Sequence, residues 1–242
     1  FVGSRSAGTI TVINKNRDIR VIAKGLSNST GVTYHDGDLY FSEVNSIWKI
    51  PNIDEALSTS EQMPEKVLVT NNLPSDTSHG WKWIDFGPDN KLYVPVGAPC
   101  NICNPSLEEK YNFDKRYASI MRLNDGKWEY VARGVRNTVG FDWHPKTNNL
   151  YFGDNGRDWM GDDMPSCELN VVKNDDSFYG YPYKHSMDVL DPDYSKKIPD
   201  NAEEFIDPIL ELGAHVAPTG LSFYDGDHFP AKYKNTLFMT LH

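Results

Sequence analysis

The feature of this sequence that most constrains its fold is a strand–turn–strand unit that recurs along the chain. Each copy joins two apolar or aromatic segments through a turn rich in Asp, Asn and Gly, and the copies occupy residues 31–41, 84–94, 139–152 and 221–239. The first three copies begin 53 and 55 residues apart, at residues 31, 84 and 139. A period near 50 residues with strand pairs in every repeat is typical of propeller blades. The repeat therefore predicts an all-β fold of the β-propeller type.

The number of repeats also predicts how the domain is organised. Four copies and a further strand over residues 9–13 give four to five blades in one domain that spans residues 1–242. Closed propellers leave few exposed sheet edges, whereas this sequence begins and ends inside predicted strands. We therefore expect parts of the propeller to be missing at both termini. Residues 54–57 and 201–205 are the candidate helical turns, and the polar, proline-containing segment 184–207 is predicted to be a long loop.

Composition excludes two classes of partner. The formal net charge is −10 and the pI is about 5.1, whereas nucleic-acid binding needs clustered Lys and Arg. No apolar run reaches the roughly 18 residues that a membrane-spanning helix requires. We therefore expect neither nucleic-acid binding nor a membrane span.

Two of the three cysteines, Cys100 and Cys103, form a CxxC pair, and Cys167 is far from them in sequence. A structural zinc site usually needs a second ligand pair, and a thioredoxin-type site needs a surrounding βαβ pattern. The pair is therefore interpreted as a local disulfide formed in an oxidising compartment, with free thiols as the alternative.

Two segments that precede predicted strands carry candidate catalytic side chains. His79 lies in the segment 78–83, where a histidine can act as a general base near neutral pH. Arg136 and Asn137 lie in the segment 134–140, and an Arg offers a fixed fork of donors to a carboxylate or quinone oxygen. From these residues alone, a packing histidine and a surface arginine remain open alternatives.

Acidic and aromatic clusters follow in the second half of the chain. Residues 154–158, 161–165 and 168–170 are rich in Asp, Glu, Asn and Gly, which could supply the oxygen ligands of Ca²⁺, although the spacing is not that of an EF-hand. Residues 179–183 and 213–220 combine aromatic and small side chains that suit a flat cofactor. A solvated acidic loop and an aromatic blade core are the simpler alternatives.

Taken in order, these segments resemble the PQQ-dependent soluble aldose and glucose dehydrogenases. The resemblance covers nearly the whole chain and depends on His79 followed by the motifs at residues 87–89, 134–140, 154–156, 168–170 and 179–182. The segments 96–101 (Val-Gly-Ala-Pro-Cys-Asn) and 214–218 (Ala-His-Val-Ala-Pro) are similar to those of the sorbosone dehydrogenase-like branch. The resemblance implies a propeller of the six-bladed type.

The resemblance also implies catalytic and cofactor-binding roles. His79 would be the general base that takes the proton of the substrate hydroxyl while hydride passes to the C5 carbonyl of PQQ. Arg136 would polarise that carbonyl and stabilise the negative charge that develops on it. Asn137, Asn155 and His215 would contact the cofactor.

Calcium ligands are implied in the same way. The main-chain carbonyls of Gly156 and Arg157 would hold the Ca²⁺ that also binds PQQ, and Gly156 would be part of the cofactor site. Glu168, with the main chain near Tyr179, would hold a second, structural Ca²⁺.

The function implied by the resemblance is that of a quinoprotein dehydrogenase that oxidises sugars or sugar-derived aldehydes and passes electrons to a cytochrome or a quinone pool. We expect such a protein in the periplasm or secreted. Two alternatives from other classes remain. A calcium-dependent propeller lactonase or other hydrolase needs carboxylates and an Asn gathered around one metal, and a propeller used only for binding needs no particular His or Arg.

Overall fold

The structure is a computed structural model that describes residues 1–59 and 62–242. The chain divides into two compact units, which are described separately: the first contains residues 1–94 and 123–127, and the second contains residues 95–122 and 128–242. The expectation that residues 1–242 form one domain stays a prediction. No helix in the described part of the chain is long and apolar enough to cross a membrane.

Antiparallel sheets make up the first unit. One sheet has three strands, β1 (Val2–Ser4), β2 (Thr9–Ile13) and β3 (Ile19–Ala23). The next has four, β4 (Val32–His35), β5 (Asp38–Ser42), β6 (Ile47–Ile50) and β7 (Val67–Thr70), with helix α1 (Ile53–Thr59) before its last strand. A third pair is formed by β8 (Asp85–Phe86) and the beginning of β9 (Leu92–Val96). The predicted helical turn at residues 54–57 is confirmed by α1.

Alternation of side chains explains the core of this unit. Leu39 and Phe41 in β5 are fully buried and pack with Ile10, Ile50 and Ile53, because residues two apart on a strand share one face. The turn between β4 and β5 contains Asp36 and Gly37, both with positive φ (48° and 82°), as a two-residue hairpin turn requires.

Strands also dominate the second unit. It contains β10 (Ser119–Asn124) and β11 (Lys127–Arg133) except for residues 123–127. A four-stranded antiparallel sheet then contains β12 (Phe141–Trp143), β13 (Leu150–Asp154), β14 (Ser166–Val171) and, from much later in the chain, β18 (Leu210–Ala214). The intervening residues contain β15 (Ser177–Phe178), which runs parallel to β11, and the short pair β16 (Lys184–His185) and β17 (Val189–Leu190). The last pair is β19 (Pro218–Phe223) and β20 (Leu237–Leu241).

The predicted repeats coincide with observed hairpins. The four copies correspond to the antiparallel pairs β4–β5, β8–β9, β12–β13 and β19–β20. Two details were wrong. The segment 184–207 contains two short strands and a 3-10 turn, and residues 201–205 are not helical, because Phe205 forms a bridge to Phe178 beside β15.

Two glycines show why successive repeats pack closely. Gly31 and Gly140 each precede the first strand of a repeat, and a Cβ atom at either position would overlap a backbone carbonyl of the segment that enters the next repeat. That carbonyl belongs to Lys82 for Gly31 and to Thr219 for Gly140. Glycine is therefore required at both positions for a close approach of two backbones.

Candidate cofactor and metal site

The ends of β13 and β14 place two carboxyl groups opposite each other. Asp154 and Glu168 are direct cross-strand partners, and both side chains are buried. Side chains at opposed positions of an antiparallel pair lie on the same face of the sheet. The two carboxyl groups therefore form a single buried acidic pair.

Asp154 holds the segment that contains the predicted Arg136 and Asn137. Its carboxylate accepts hydrogen bonds from the backbone N–H of Arg136 (2.8 Å) and of Asn137 (2.6 Å). Burial raises the pKa of Asp154, although these N–H donors oppose the shift. Asp154 therefore fixes the backbone from which the Arg136 side chain extends.

Glu168 has a different set of partners. Its carboxylate accepts hydrogen bonds from the backbone N–H of Ser186 (2.7 Å) and from the side-chain amide of Asn170 (2.9 Å). Burial first, and then repulsion by Asp154, raise the pKa of Glu168 well above its usual value. The Oδ1 atom of Asn170 is buried without a hydrogen-bond partner. An orphaned oxygen on a residue that contacts this carboxylate is a favourable environment for a hard cation.

A small cavity lies at this acidic pair. Its volume is about 10 Å³, which is room for roughly one water-sized occupant. It is lined by the predicted site residues Arg136, Asn155, Gly156, Glu168 and Tyr179, together with Gly134, Asp154, Tyr181, Lys184 and His185. The structure thus brings five of the predicted residues together.

The guanidinium group of Arg136 is buried and held by neutral acceptors. It donates to the backbone carbonyl and the side-chain oxygen of Asn101 (both 2.8 Å) and to the carbonyl of Asn155 (3.1 Å). Burial lowers the pKa of Arg136, but a guanidinium group keeps its charge in proteins. Its remaining N–H groups have no acceptor among the described residues. The guanidinium group of Arg136 is therefore a fixed positive charge, and some of its N–H donors are not used by these acceptors.

Asn101 was missed by the sequence analysis. It lies in the loop closed by the Cys100–Cys103 disulfide, which confirms the predicted pairing, and Cys167 is free and buried. Besides holding Arg136, the Asn101 side chain accepts from the backbone N–H of Asp158 (2.8 Å) and donates to its carbonyl (3.1 Å). The disulfide loop therefore connects Arg136 with the acidic segment that begins at Asp154.

The other predicted cofactor residues lie in nearby segments of the same unit. The side-chain amide of Asn155 donates to the carbonyls of Asn137 (3.0 Å) and Pro218 (3.1 Å), which joins the end of β13 to the start of β19. His215 is exposed, has a positive φ of 58°, and contacts the carbonyl of Gly161 through Nε2 at 2.9 Å. It does not line the small cavity.

Arg157 belongs to a buried ionic chain. Its guanidinium group donates to Asp191 (2.5 Å), and the same carboxylate oxygen contacts His185 at 2.9 Å. Asp191 and Arg157 are almost completely buried. This pairing fixes the Arg157 side chain, so any role in metal binding falls to its main chain, which is the group that the resemblance implies.

His79, the predicted base, belongs to the first unit. It lies in a turn with a positive φ of 47°, and its ring makes an edge contact with Trp81 at 6.4 Å. Trp81 in turn lies under the guanidinium group of Arg5 at 4.1 Å. The aromatic and cationic contacts of Trp81 hold the loop that presents His79.

A neighbour of His79 was also missed. Lys82 is fully buried, and its ammonium group donates to the carbonyl of Gly80 at 2.9 Å. Burial lowers the pKa of Lys82 to about 8. No sequence signal marked this lysine as different from the exposed ones.

Three-ligand clusters are absent from the residues that the structure describes: no three His, Cys, Asp or Glu side chains are arranged to hold a metal. A cation at Asp154 and Glu168 would therefore need main-chain or amide oxygens as further ligands, as Ca²⁺ commonly has.

Comparison with known protein families shows to which family this chain belongs. Residues 52–241, most of the chain, match the model of the glucose/sorbosone dehydrogenase family. The chain belongs to this family. The predicted resemblance is thereby confirmed.

Two curated relatives are uncharacterised proteins. One from Borreliella burgdorferi is 38% identical over 100% of this chain and 64% of its own length. One from Synechocystis is 25% identical over 62% of this chain and 40% of its own length. The chain thus spans less than two thirds of either relative.

Solved structures extend the likeness at the level of the fold. A crystal structure of a glucose dehydrogenase has a TM-score of 0.72 at 16% identity and covers 96% of this chain and 74% of its own. The PQQ domain of pyranose dehydrogenase from Coprinopsis cinerea has a TM-score of 0.65 at 15% identity, with coverages of 93% and 70%. The calcium structure of a Trichoderma reesei family AA12 enzyme also scores 0.65, at 18% identity, with coverages of 91% and 71%. These likenesses confirm the all-β propeller fold.

Proposed function

We propose that this member of the glucose/sorbosone dehydrogenase family is a PQQ- and Ca²⁺-dependent oxidoreductase that oxidises sugars or sugar-derived aldehydes. The observation that carries the proposal is the buried Arg136, which lines a cavity that two carboxyl groups also line. A fixed cation with open donors suits the carbonyl oxygen of a quinone, where negative charge increases during reduction.

The residues around the small cavity fit Ca²⁺. Glu168 and Asp154 supply carboxylates. Asn170, which donates to Glu168, has an unpartnered amide oxygen beside it. The main chain near Tyr179, which lines the same cavity, would add a carbonyl ligand beside Glu168. The main chains of Gly156 and Arg157 would do so for the ion that contacts the cofactor. A bound divalent cation would favour the ionised form of both carboxyl groups, because it offsets their burial and mutual repulsion.

PQQ would be held by Arg136 together with Asn137, Asn155, Gly156 and His215. When bound, PQQ supplies the acceptor for the hydride that leaves the substrate carbon. Arg136 contributes a permanent positive charge and directed donors, and Asn101 keeps the guanidinium plane in place. Because these donors are already oriented, little reorganisation is needed as negative charge develops.

His79 would remove the proton from the substrate hydroxyl as the carbon loses its hydride. A ring nitrogen takes up that proton, so the oxidised substrate leaves with a new C=O bond and the histidine becomes positively charged. A neutral imidazole near pH 7 is suited to this transfer.

A lactonase remains the second candidate, because Asp154 and Glu168 place two carboxylates at one cavity and the amide of Asn170 donates to Glu168. The buried Arg136 favours the dehydrogenase, because a hydrolase of this kind needs only carboxylates and an Asn around the metal. Lactone hydrolysis with Ca²⁺ and without PQQ would support the alternative.

The electron acceptor and the location are part of the proposal. We propose transfer of electrons to a cytochrome or a quinone pool, in the periplasm or outside the cell. The Cys100–Cys103 disulfide supports an oxidising compartment.

The deciding experiment uses the full-length protein reconstituted with Ca²⁺ and PQQ. We expect it to reduce an artificial electron acceptor when aldoses or sorbosone are supplied. His79→Ala should lower kcat by about 10²–10⁴-fold and leave PQQ uptake unchanged, whereas the exposed control His228→Ala should keep the wild-type rate. A His79→Ala protein with the wild-type rate would disprove the assigned base. Absence of PQQ uptake would reject the proposal itself.

A further inference from the structure

The second unit contains a much larger cavity outside the cluster around Arg136. Its volume is about 410 Å³, within the range of about 300–1,000 Å³ that is usual for small-molecule sites. It shares only Gly134 and Tyr181 with the small cavity, and neither Arg136 nor Asp154 lines it. The proposed chemistry therefore leaves this cavity unexplained.

Aromatic rings form one part of its wall. Tyr117, Tyr130, Phe178, Tyr181 and Tyr183 all line it. The rings of Phe178 and Tyr183 lie 6.3 Å apart, and the Tyr183 hydroxyl accepts a hydrogen bond from the side chain of Asn104 at 2.8 Å. These contacts fix the rings before any ligand arrives, which lowers the entropy lost on binding.

A charged network, which begins next to Phe178, forms another part of the wall. Arg133, at the end of β11, donates through Nε to Asp176 (2.5 Å) and through Nη2 to both carboxylate oxygens of Glu203 (2.9 and 2.7 Å). Its Nη1 group, the ammonium group of Lys115 and the hydroxyl of Tyr130 have no hydrogen-bond partner among the described residues. Oriented acceptors and open donors thus face the same space.

The net charge of the lining selects the ligand. Lys115 and Arg133 are balanced by Asp176 and Glu203, so the wall has no net charge with which to attract an anion or a cation. A purely apolar ligand would leave the open donors unsatisfied. The wall therefore requires a neutral molecule that has apolar faces and also several groups that both donate and accept hydrogen bonds.

Saccharides have this combination, because the C–H faces of a pyranose ring pack on aromatic rings and each hydroxyl both donates and accepts. We propose that this cavity binds a neutral mono- or disaccharide, separately from the oxidation chemistry. The site requires neither PQQ nor Ca²⁺, so it can be tested when both are absent.

Isothermal titration calorimetry on the full-length, PQQ-free and Ca²⁺-free protein tests the proposal, with glucose, maltose and gluconate as probes. We expect glucose or maltose to bind and Arg133→Met to weaken that binding by at least about tenfold. Arg122→Met is the matched control, because Arg122 also pairs with two carboxylates, those of Glu129 and Asp175, but does not line the cavity. Tyr130→Phe, which removes only an open hydroxyl, should weaken binding less than Arg133→Met.

Three results would overturn the proposal. They are no binding of either neutral sugar, equal binding by wild type and Arg133→Met, and tighter binding of gluconate than of glucose. Because the assay contains neither PQQ nor Ca²⁺, failure here leaves the proposed dehydrogenase activity unaffected.

Discussion

Lys82 in the first unit and Arg136 in the second are both buried cations, with 2% and 5% of their surface exposed, but their surroundings differ. Lys82 donates to one carbonyl, that of Gly80. Arg136 donates to three oxygen atoms, and the carboxylate of Asp154 binds its backbone N–H. Burial lowers the pKa of both side chains.

The difference matters because only the amine can lose its proton near physiological pH. With a pKa of about 8, Lys82 can become neutral in mildly alkaline solution, whereas a guanidinium group remains charged. A buried guanidinium group cannot escape the cost of lost hydration by losing its proton, so hydrogen-bond acceptors of the protein must replace the water. The oxygens of Asn101 and Asn155 are these acceptors. Arg136 is thus a permanent positive charge with several hydrogen-bond acceptors. Lys82 is a buried charge with one acceptor, and it lowers the free energy of unfolding.

The largest expected effect is the loss of the Arg136 side chain. Arg136→Met should lower the free energy of unfolding by about 3 kcal/mol, because three part-buried oxygens of Asn101 and Asn155 lose their donor. Urea unfolding of the cofactor-free protein measures the change. Arg122→Met, which removes a more exposed ion pair, should lose about 1 kcal/mol or less. If both variants lost the same free energy of unfolding, the buried contacts of Arg136 would contribute no more to stability than the more exposed ion pair of Arg122.

Removal of the Lys82 charge should have the opposite sign. Lys82→Met should raise the free energy of unfolding at pH 7 by about 3 kcal/mol, the equivalent of the shift of its pKa from 10.5 to about 8. The folded-state pKa is depressed, so wild-type stability should rise between about pH 8 and 10.5 as the unfolded chain keeps the proton longer. The advantage of Lys82→Met should therefore shrink over this pH window.

Lys49 provides the matched control for this measurement. Its ammonium group lies 2.6 Å from Asp38, which raises the pKa of Lys49. Lys49→Met should therefore destabilise the protein slightly, by about 1 kcal/mol or less. A Lys82→Met variant that is less stable than wild type at pH 7 would show that the buried lysine is compensated after all.

The fold was predictable because its signal is local and repeated. Asp36 and Gly37 predict a tight hairpin turn, and alternating Leu39 and Phe41 predict a strand with one buried face. The blades follow from four copies of this pattern. The short strands within residues 184–207 escaped prediction, because two-residue strands have no periodicity to detect.

The candidate site was predictable only in part. The family motifs marked Arg136, Asn155 and Glu168, but not Asn101, whose bonds to Arg136 join residues 35 apart in sequence. The pairing of Asp154 with Glu168 depends on strand register, which the spacing of two acidic residues does not determine. Lys82 was missed because burial of a long charged side chain leaves no mark in the sequence.

Opening the disulfide loop should have an intermediate effect. Replacing Cys100 and Cys103 together by Ser should reduce the free energy of unfolding by about 2 kcal/mol, the value for closure of a very short loop. Thermal unfolding with and without dithiothreitol measures this: the reductant should lower the Tm of wild type and leave the double variant unchanged. A double variant as stable as wild type would show that Asn101 holds Arg136 without help from the disulfide.

The smallest effect is expected at His215, where the side chain is exposed but the backbone is constrained. Its φ of 58° is tolerated by Asn and strained for β-branched residues. His215→Asn should therefore change the free energy of unfolding by about 0.5 kcal/mol or less, whereas His215→Val should lose about 1–2 kcal/mol. Urea unfolding of both variants distinguishes the effect of backbone strain on stability from the effect of losing the imidazole ring. If Asn and Val are equally destabilising, the contact of the ring with Gly161, rather than the left-handed backbone, is what His215 contributes to stability.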